Sequence, residues 1–219
     1  MANLIGKDLE KIIIEVGAIA SGVAFSAGIF LSIFATANLV PRFLEKGAIE
    51  LILSKPLSRP LIFISRFLGA QSIVAFNVTY LIAGTWLVLS IKTGIWYWPF
   101  LYSVPMVMIA FAIIYALMAF VGVTTRSTGV TIMVAYLVLF FSPFLVQKDR
   151  IYALLSNKSY DYILEGLYHV MPKIHELSLI NHSLVKNLPV EDWSALWTSS
   201  LAGMFVLFFA VIIFSKKNF

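Results

Sequence analysis

Five long stretches of the sequence contain no charged residue, and they constrain the fold more than any other feature. Each is at least as long as the roughly 20 apolar residues needed to cross the hydrocarbon core of a bilayer. All 16 Lys and Arg and all 11 Asp and Glu residues lie in the remainder of the chain. This pattern excludes a soluble enzyme, a nucleic-acid-binding domain and a disordered chain. The stretches are Val16–Val40, Phe67–Ile91, Thr93–Thr125, Ser127–Gln147 and Trp193–Ser215.

The apolar runs are continuous rather than alternating, which favours helices whose backbone hydrogen bonds close within each segment. We therefore predict an all-α polytopic membrane protein, a single domain over residues 1–219 that contains a bundle of five transmembrane helices. A connecting loop occupies residues 41–66. A long loop at 147–193 should carry short surface helices at 162–170 and 174–184. The predicted spans are 16–39, 68–91, 101–123, 130–144 and 195–214.

The basic residues predict the orientation of the chain. Loop 41–66, Arg126 and the tail residues Lys216 and Lys217 all fall on one side of the predicted bundle. Short loops rich in Lys and Arg remain in the cytoplasm, so we expect a cytoplasmic C-terminus, with loop 147–193 outside. The net charge of +5 is thus a topology signal, and we expect no nucleic-acid partner.

Sequence motifs for catalysis are missing. There is no cysteine and no Gly-x-x-x-x-Gly-Lys-Ser/Thr phosphate loop, so the chain should not be an enzyme and should bind no cofactor. His175 and His182 could share a helical face, but the surrounding alternation favours surface helices, and we predict no metal site. The spans carry no ionisable residue, which disfavours an ion-driven carrier. Their polar residues, including Gln71 and Asn77, should form hydrogen bonds between helices.

Loop 41–66 contains a predicted amphipathic helix at the membrane surface. Pro56 ends this helix, because the residue before a proline avoids the α region. Ser58 should cap the next helix, with Pro60 in its first turn. The pattern by itself fits either a solvated connector or an element that docks a partner. Leu44, Ala48, Leu51 and Ile52 fall on the apolar face, and Glu45, Lys46 and Glu50 on the polar one.

The segment from Glu45 to Arg59, followed by Phe67-Leu68-Gly69, resembles the loop signature of ABC-2 type transporter permeases. It differs in having Ala48 in place of the usual threonine, and Ser65-Arg66 in place of Gly-Lys. The resemblance implies a cytoplasmic coupling helix that sits in a cleft of a separate ATPase. It assigns polar contacts to Glu45 and Arg59 and the shape of the loop to its glycine and proline. The coupling residues it indicates are Glu45, Gly47, Leu51, Ser54, Pro56 and Arg59.

The resemblance implies the permease subunit of an ATP-driven exporter in the bacterial inner membrane. The partner ATPase would bind ATP and Mg²⁺, and a second copy or a homologous permease would complete the pathway among membrane lipids. The family has six spans and its coupling loop follows the second, so we expect that this sequence lacks the first family span. A wrongly chosen start with the span encoded upstream, a trimmed chain and a true five-span form all fit. The alternative function is a non-transporting membrane anchor or assembly subunit that recruits a soluble partner.

Overall fold

The computed structural model describes residues 2–45, 47, 49, 57–146, 171–190 and 192–217. Every regular element in these ranges is helical, as the continuous apolar runs predict. A 3-10 turn at Trp98–Tyr102 precedes the fourth helix. The helices are α1 (Ala2–Thr36), α2 (Leu39–Phe43), α3 (Arg59–Thr93), α4 (Ser103–Thr125), α5 (Thr128–Val146), α6 (Ile174–Val185) and α7 (Ser194–Lys216).

Helix α4 forms the centre of the bundle. It packs against α1, α3, α5 and α7, and Val107, Ala110, Phe111 and Ile114 on it are completely buried. The approach of α7 is close because Gly203 lies against α4, where a Cβ atom would stand 3.2 Å from the Cα of Ile113. A glycine at such a contact allows two helix backbones to approach closely in a membrane.

The predicted count of five spans is confirmed only in part. In the described part of the chain, four helical segments are long and apolar enough to cross a bilayer: Lys11–Phe43, Arg59–Thr93, Trp98–Thr125 and Ser194–Lys216. The fifth apolar stretch, Thr128–Phe144, is shorter. The structure therefore supports four candidate spans and does not confirm the fifth.

The helix bounds also differ from the predicted spans. Helix α1 begins at Ala2 and α3 begins at Arg59, well before the apolar runs from which we predicted spans at 16–39 and 68–91. Apolar composition marks the part of a helix that suits lipid, whereas the helix itself continues through charged turns as long as its backbone bonds are made. Of the two predicted surface helices, 174–184 is confirmed as α6, and 162–170 lies outside the described residues.

Helix α6 closes one end of the bundle, and neighbouring helices satisfy its N-terminal backbone. The His175 N–H donates to the Ser142 hydroxyl of α5 at 2.8 Å, and the Lys173 N–H donates to the Ser199 hydroxyl of α7 at 3.0 Å. The first amides of a helix have no partner within it, so these two serines complete the helix start. At the other end of α6, the Val185 carbonyl accepts a 2.6 Å hydrogen bond from the Tyr97 hydroxyl.

The hydrogen bond between helices that was predicted for Asn77 is not formed. The Asn77 amide donates to the Ile73 carbonyl within its own helix at 2.8 Å. The prediction was wrong for Asn77 because this residue lies on an exposed face of α3. Among the described residues, Gln71 Nε2 is buried and has no hydrogen-bond partner.

Candidate coupling site at the basic end of the bundle

The segments rich in Lys and Arg come together at one end of the bundle, which we call the basic end. It comprises the end of α2, the start of α3, the α4–α5 turn and the end of α7, and it carries Arg42, Arg59, Arg66, Arg126, Lys216 and Lys217. Glu45 is the one carboxylate that the described residues place there. The basic end is therefore strongly positive, and its charges share one side, as the sequence predicted.

Arg59 joins the beginning of α3 to the end of α7. Its Nη1 donates hydrogen bonds to the backbone carbonyls of Ser215, at 3.1 Å, and Lys217, at 2.8 Å. The last carbonyls of a helix have no partner within it and carry the negative end of the helix dipole. A partly buried guanidinium is well suited to satisfy two of them at once, so Arg59 caps α7 from another helix.

Lys217, which follows α7, caps the end of α4. Its ammonium donates to the Val123 carbonyl at 2.8 Å, in the last turn of that helix. Burial, and then the nearby charge of Arg126, lowers the pKa of Lys217. Arg126 itself ends α4 in the left-handed region, with φ 54°, where its N–H donates to the Gly122 carbonyl. The side chains of Arg59 and Lys217 thus connect the ends of α3, α7 and α4.

Three aromatic rings pack against one another beside these polar contacts. The Phe214 ring of α7 lies 5.5 Å from the Phe43 ring and 5.3 Å from the Phe63 ring, measured between centroids. All three side chains are buried. Pairs of this kind contribute about 0.5–1.5 kcal/mol beyond their buried area, so α2, α3 and α7 are held together immediately beside the loop.

The predicted amphipathic helix does not begin at Leu44. Leu44 and Glu45 form a turn after α2, and Gly47 follows with φ 89°. That left-handed conformation suits glycine, which has no Cβ atom, and it interrupts a right-handed helix. The exposed Glu45 and Gly47 therefore lie in a turn, and the predicted coupling residues Leu51, Ser54 and Pro56 lie outside the described residues.

The start of α3 agrees with the sequence prediction in position. Ser58 is the N-cap residue, in an extended conformation, and Pro60 lies in the first turn. The Ser58 side chain forms no capping hydrogen bond. The chain is therefore stabilised at this point by Arg59, the next residue, rather than by the predicted serine cap.

Sequence reasoning missed the contribution of Lys217 and Phe214 to this site. The tail lysines were used only to predict topology, because a basic tail after an apolar helix indicates that the tail lies in the cytoplasm. The partners of Lys217 and Arg59 are backbone carbonyls, which every residue possesses and which no residue pattern distinguishes. No motif could therefore have identified these bonds.

The basic end is joined by a short series of hydrogen bonds. Arg59, at the start of α3, bonds to the end of α7, and Lys217, after α7, bonds to the end of α4. Comparison of the chain with protein-family models and with curated proteins found no match. The class that the structure defines is an all-helical protein with four helices in its described part long and apolar enough to span a membrane.

Proposed function

We propose that the chain is the permease subunit of an ATP-driven ABC-2 type exporter, coupled to a separate ATPase through the loop at 41–60. The observation that carries the proposal is the pair of Arg59 bonds to the Ser215 and Lys217 carbonyls. They link the residue at which the loop-signature segment ends to the last helix of the bundle. A loop that served as a mere solvated connector would need no such connection.

In this mechanism the ATPase binds the exposed turn that contains Glu45 and Gly47, together with the loop that follows. ATP and Mg²⁺ bind to the ATPase, and their binding draws the loops of two permease copies together. Because Arg59 ties α3 to α7, both helices move with the loop, and the bundle changes from one packing to another. Rigid-body rearrangement of packed helices is an established form of such switching.

The positive charge of the basic end is consistent with this arrangement. Described residues provide one carboxylate there, Glu45, among several exposed cations such as Arg42 and Lys216. An acidic cleft on the ATPase would be steered toward this face, and Glu45 would fix the register by pairing with a base within the cleft. Complementary charges of this kind raise association rates and select partners.

The test co-expresses the chain with ABC ATPases from the same genome and measures co-purification and ATP hydrolysis. We expect Glu45→Ala to reduce co-purification at least tenfold, since truncating one member of a buried charge pair costs about 2–5 kcal/mol. Glu15→Ala is the matched control, because it removes an exposed carboxylate at the opposite end of the bundle, where Glu15 pairs with Lys186.

Two results would contradict the proposal. The lack of any associating ATPase would remove the coupling function. An ATPase that associates, but whose hydrolysis no added compound stimulates, would favour the membrane anchor or assembly subunit.

A further inference from the structure

A cavity of about 320 Å³ opens on the flank of the bundle near the basic end. It lies between α2 and α3, with α4 behind it. Its floor is buried and apolar and includes Phe43, Phe63 and Ala119. Leu39 and Ile73 on its rim are exposed. In a membrane, the cavity therefore faces lipid rather than the interior of the bundle.

Arg66 supplies the one charge among the residues that line this cavity. It lies two helical turns into α3, and its guanidinium carbon stands 5.2 Å from the centroid of the Phe43 ring. Among the described residues, no carboxylate forms an ion pair with Arg66. The ion pair found among these residues joins Lys186 to Glu15, at the opposite end of the bundle. The Arg66 side chain is exposed at the cavity, so an anionic group at the membrane surface can reach it.

The Phe43 ring holds the guanidinium beside the cavity through a cation–π contact. A guanidinium presents several donors in one plane, which match the oxygens of a phosphate in a two-point contact. A cation–π contact leaves these N–H donors available in principle, so the two contacts are compatible.

We propose that the cavity is a binding site for an anionic phospholipid of the cytoplasmic leaflet. Its phosphate pairs with Arg66, and one acyl chain enters the apolar cavity between α2 and α3. The volume falls at the lower end of ligand pockets, which measure about 300–1,000 Å³, so it suits a single chain rather than a whole lipid. Basic pockets between helices on this side of a membrane attract anionic head groups. The inference does not depend on the proposed transport function.

The experiment is native mass spectrometry of the purified full chain, released from detergent in the presence of dioleoyl phosphatidylglycerol or dioleoyl phosphatidylcholine. The two lipids have the same chains and differ in net charge. We expect about tenfold higher retention of the anionic lipid, and Arg66→Gln should abolish that difference. Arg66→Lys, which keeps the charge without the planar donors, should retain part of it.

Two further variants separate a built site from general attraction to a basic surface. Arg42→Gln removes an exposed charge at the same end that does not line the cavity, and it should leave the difference unchanged. Gly69→Leu should fill the cavity mouth, because nothing lies within 4 Å of a Cβ placed at Gly69, and should reduce retention of both lipids about tenfold although Arg66 is intact.

Three outcomes would overturn the proposal. Equal retention of the two lipids by the wild-type chain would show that Arg66 does not recognise the charge. An equal loss with Arg42→Gln would indicate surface electrostatics alone. Displacement of the anionic lipid by millimolar inorganic phosphate would indicate that a free anion, and not a lipid in the cavity, is the occupant.

Discussion

Arg59 donates a 2.8 Å hydrogen bond to the backbone carbonyl of Lys217, 158 residues further along the chain. The bond connects the first residue of α3 to the residue that follows α7. It gives Arg59 a function inside the chain in addition to the contact with an ATPase implied by the loop resemblance.

Substitution of Arg59 should therefore destabilise the bundle itself. Arg59→Ala leaves two carbonyls at the end of α7 without their donor, and hydrogen bonds to charged groups contribute about 1.5–3 kcal/mol. We expect a lower apparent Tm in detergent, measured by circular dichroism, with Arg59→Lys falling between the alanine variant and the wild type. An unchanged Tm for Arg59→Ala would show that the bonds add nothing to stability.

The contact between α4 and α7 should not accommodate a larger residue at Gly203. A Cβ atom there would stand 3.2 Å from both the Cα and the Cγ1 of Ile113, and backbone cannot move aside as a flexible side chain can. Gly203→Ala should cost about 1–3 kcal/mol through overpacking. Gly84→Ala is the matched control, because its new Cβ meets nothing within 4 Å, and it should be neutral or stabilising by up to about 1 kcal/mol. Equal Tm values for the two variants would contradict the close approach.

Asn181 on α6 should be replaceable by an apolar residue at a gain in stability. Its side chain is completely buried, and within the described ranges neither Oδ1 nor Nδ2 has a hydrogen-bond partner. A buried polar group without a partner costs about 1–3 kcal/mol, so the similarly sized Asn181→Leu should raise the apparent Tm. A lower Tm would indicate that the amide binds an internal water molecule.

The start of α7 should lose stability in acid. Ser194 donates two hydrogen bonds to the Asp192 carboxylate, and both lower the pKa of Asp192 below the ordinary 3.8. The bond from the Ser194 hydroxyl has the larger effect and the bond from its backbone N–H the smaller. A carboxyl group with a depressed pKa stabilises the folded state above its unfolded pKa, and the effect disappears as the pH falls through the folded value. The Tm of wild type minus Asp192→Asn should therefore be positive at pH 6 and shrink below pH 3.8. A difference that does not change with pH would exclude this linkage.

Thiol labelling should establish the orientation, because the natural sequence has no cysteine. Ser58→Cys places a thiol at the basic end, and Leu188→Cys places one beyond α6 at the other end. Both positions are exposed. In intact cells, an impermeant thiol reagent should label Leu188→Cys and should leave Ser58→Cys unlabelled until the cells are opened. The reverse pattern would invert the topology.

Several local features could be predicted because neighbouring residues decide them. Pro60 indicates the start of α3, because proline suits the first turn of a helix, and the alternation near His175 indicates α6, because amphipathic spacing acts within a few residues. The helix predicted in the loop does not begin at Leu44, because apolar spacing does not reveal the left-handed Gly47. Ile49 is helical, and the rest of that predicted helix lies outside the described residues. The count of five spans rests on five charge-free runs, and the described residues support four of them as long enough to cross a membrane.

The sequence by itself determined that the chain forms long apolar helices and that its basic segments share one end, because both follow from local composition and from the cost of placing charge in lipid. Only the tertiary structure decided which faces of those helices meet. A helix that is apolar on all sides, such as α4 or α7, carries no periodic signal of its buried face. The Arg59–Lys217 bond, the close approach at Gly203 and the cavity beside Arg66 all depend on how each helix is rotated about its axis. That rotation is set by packing between residues far apart in the chain.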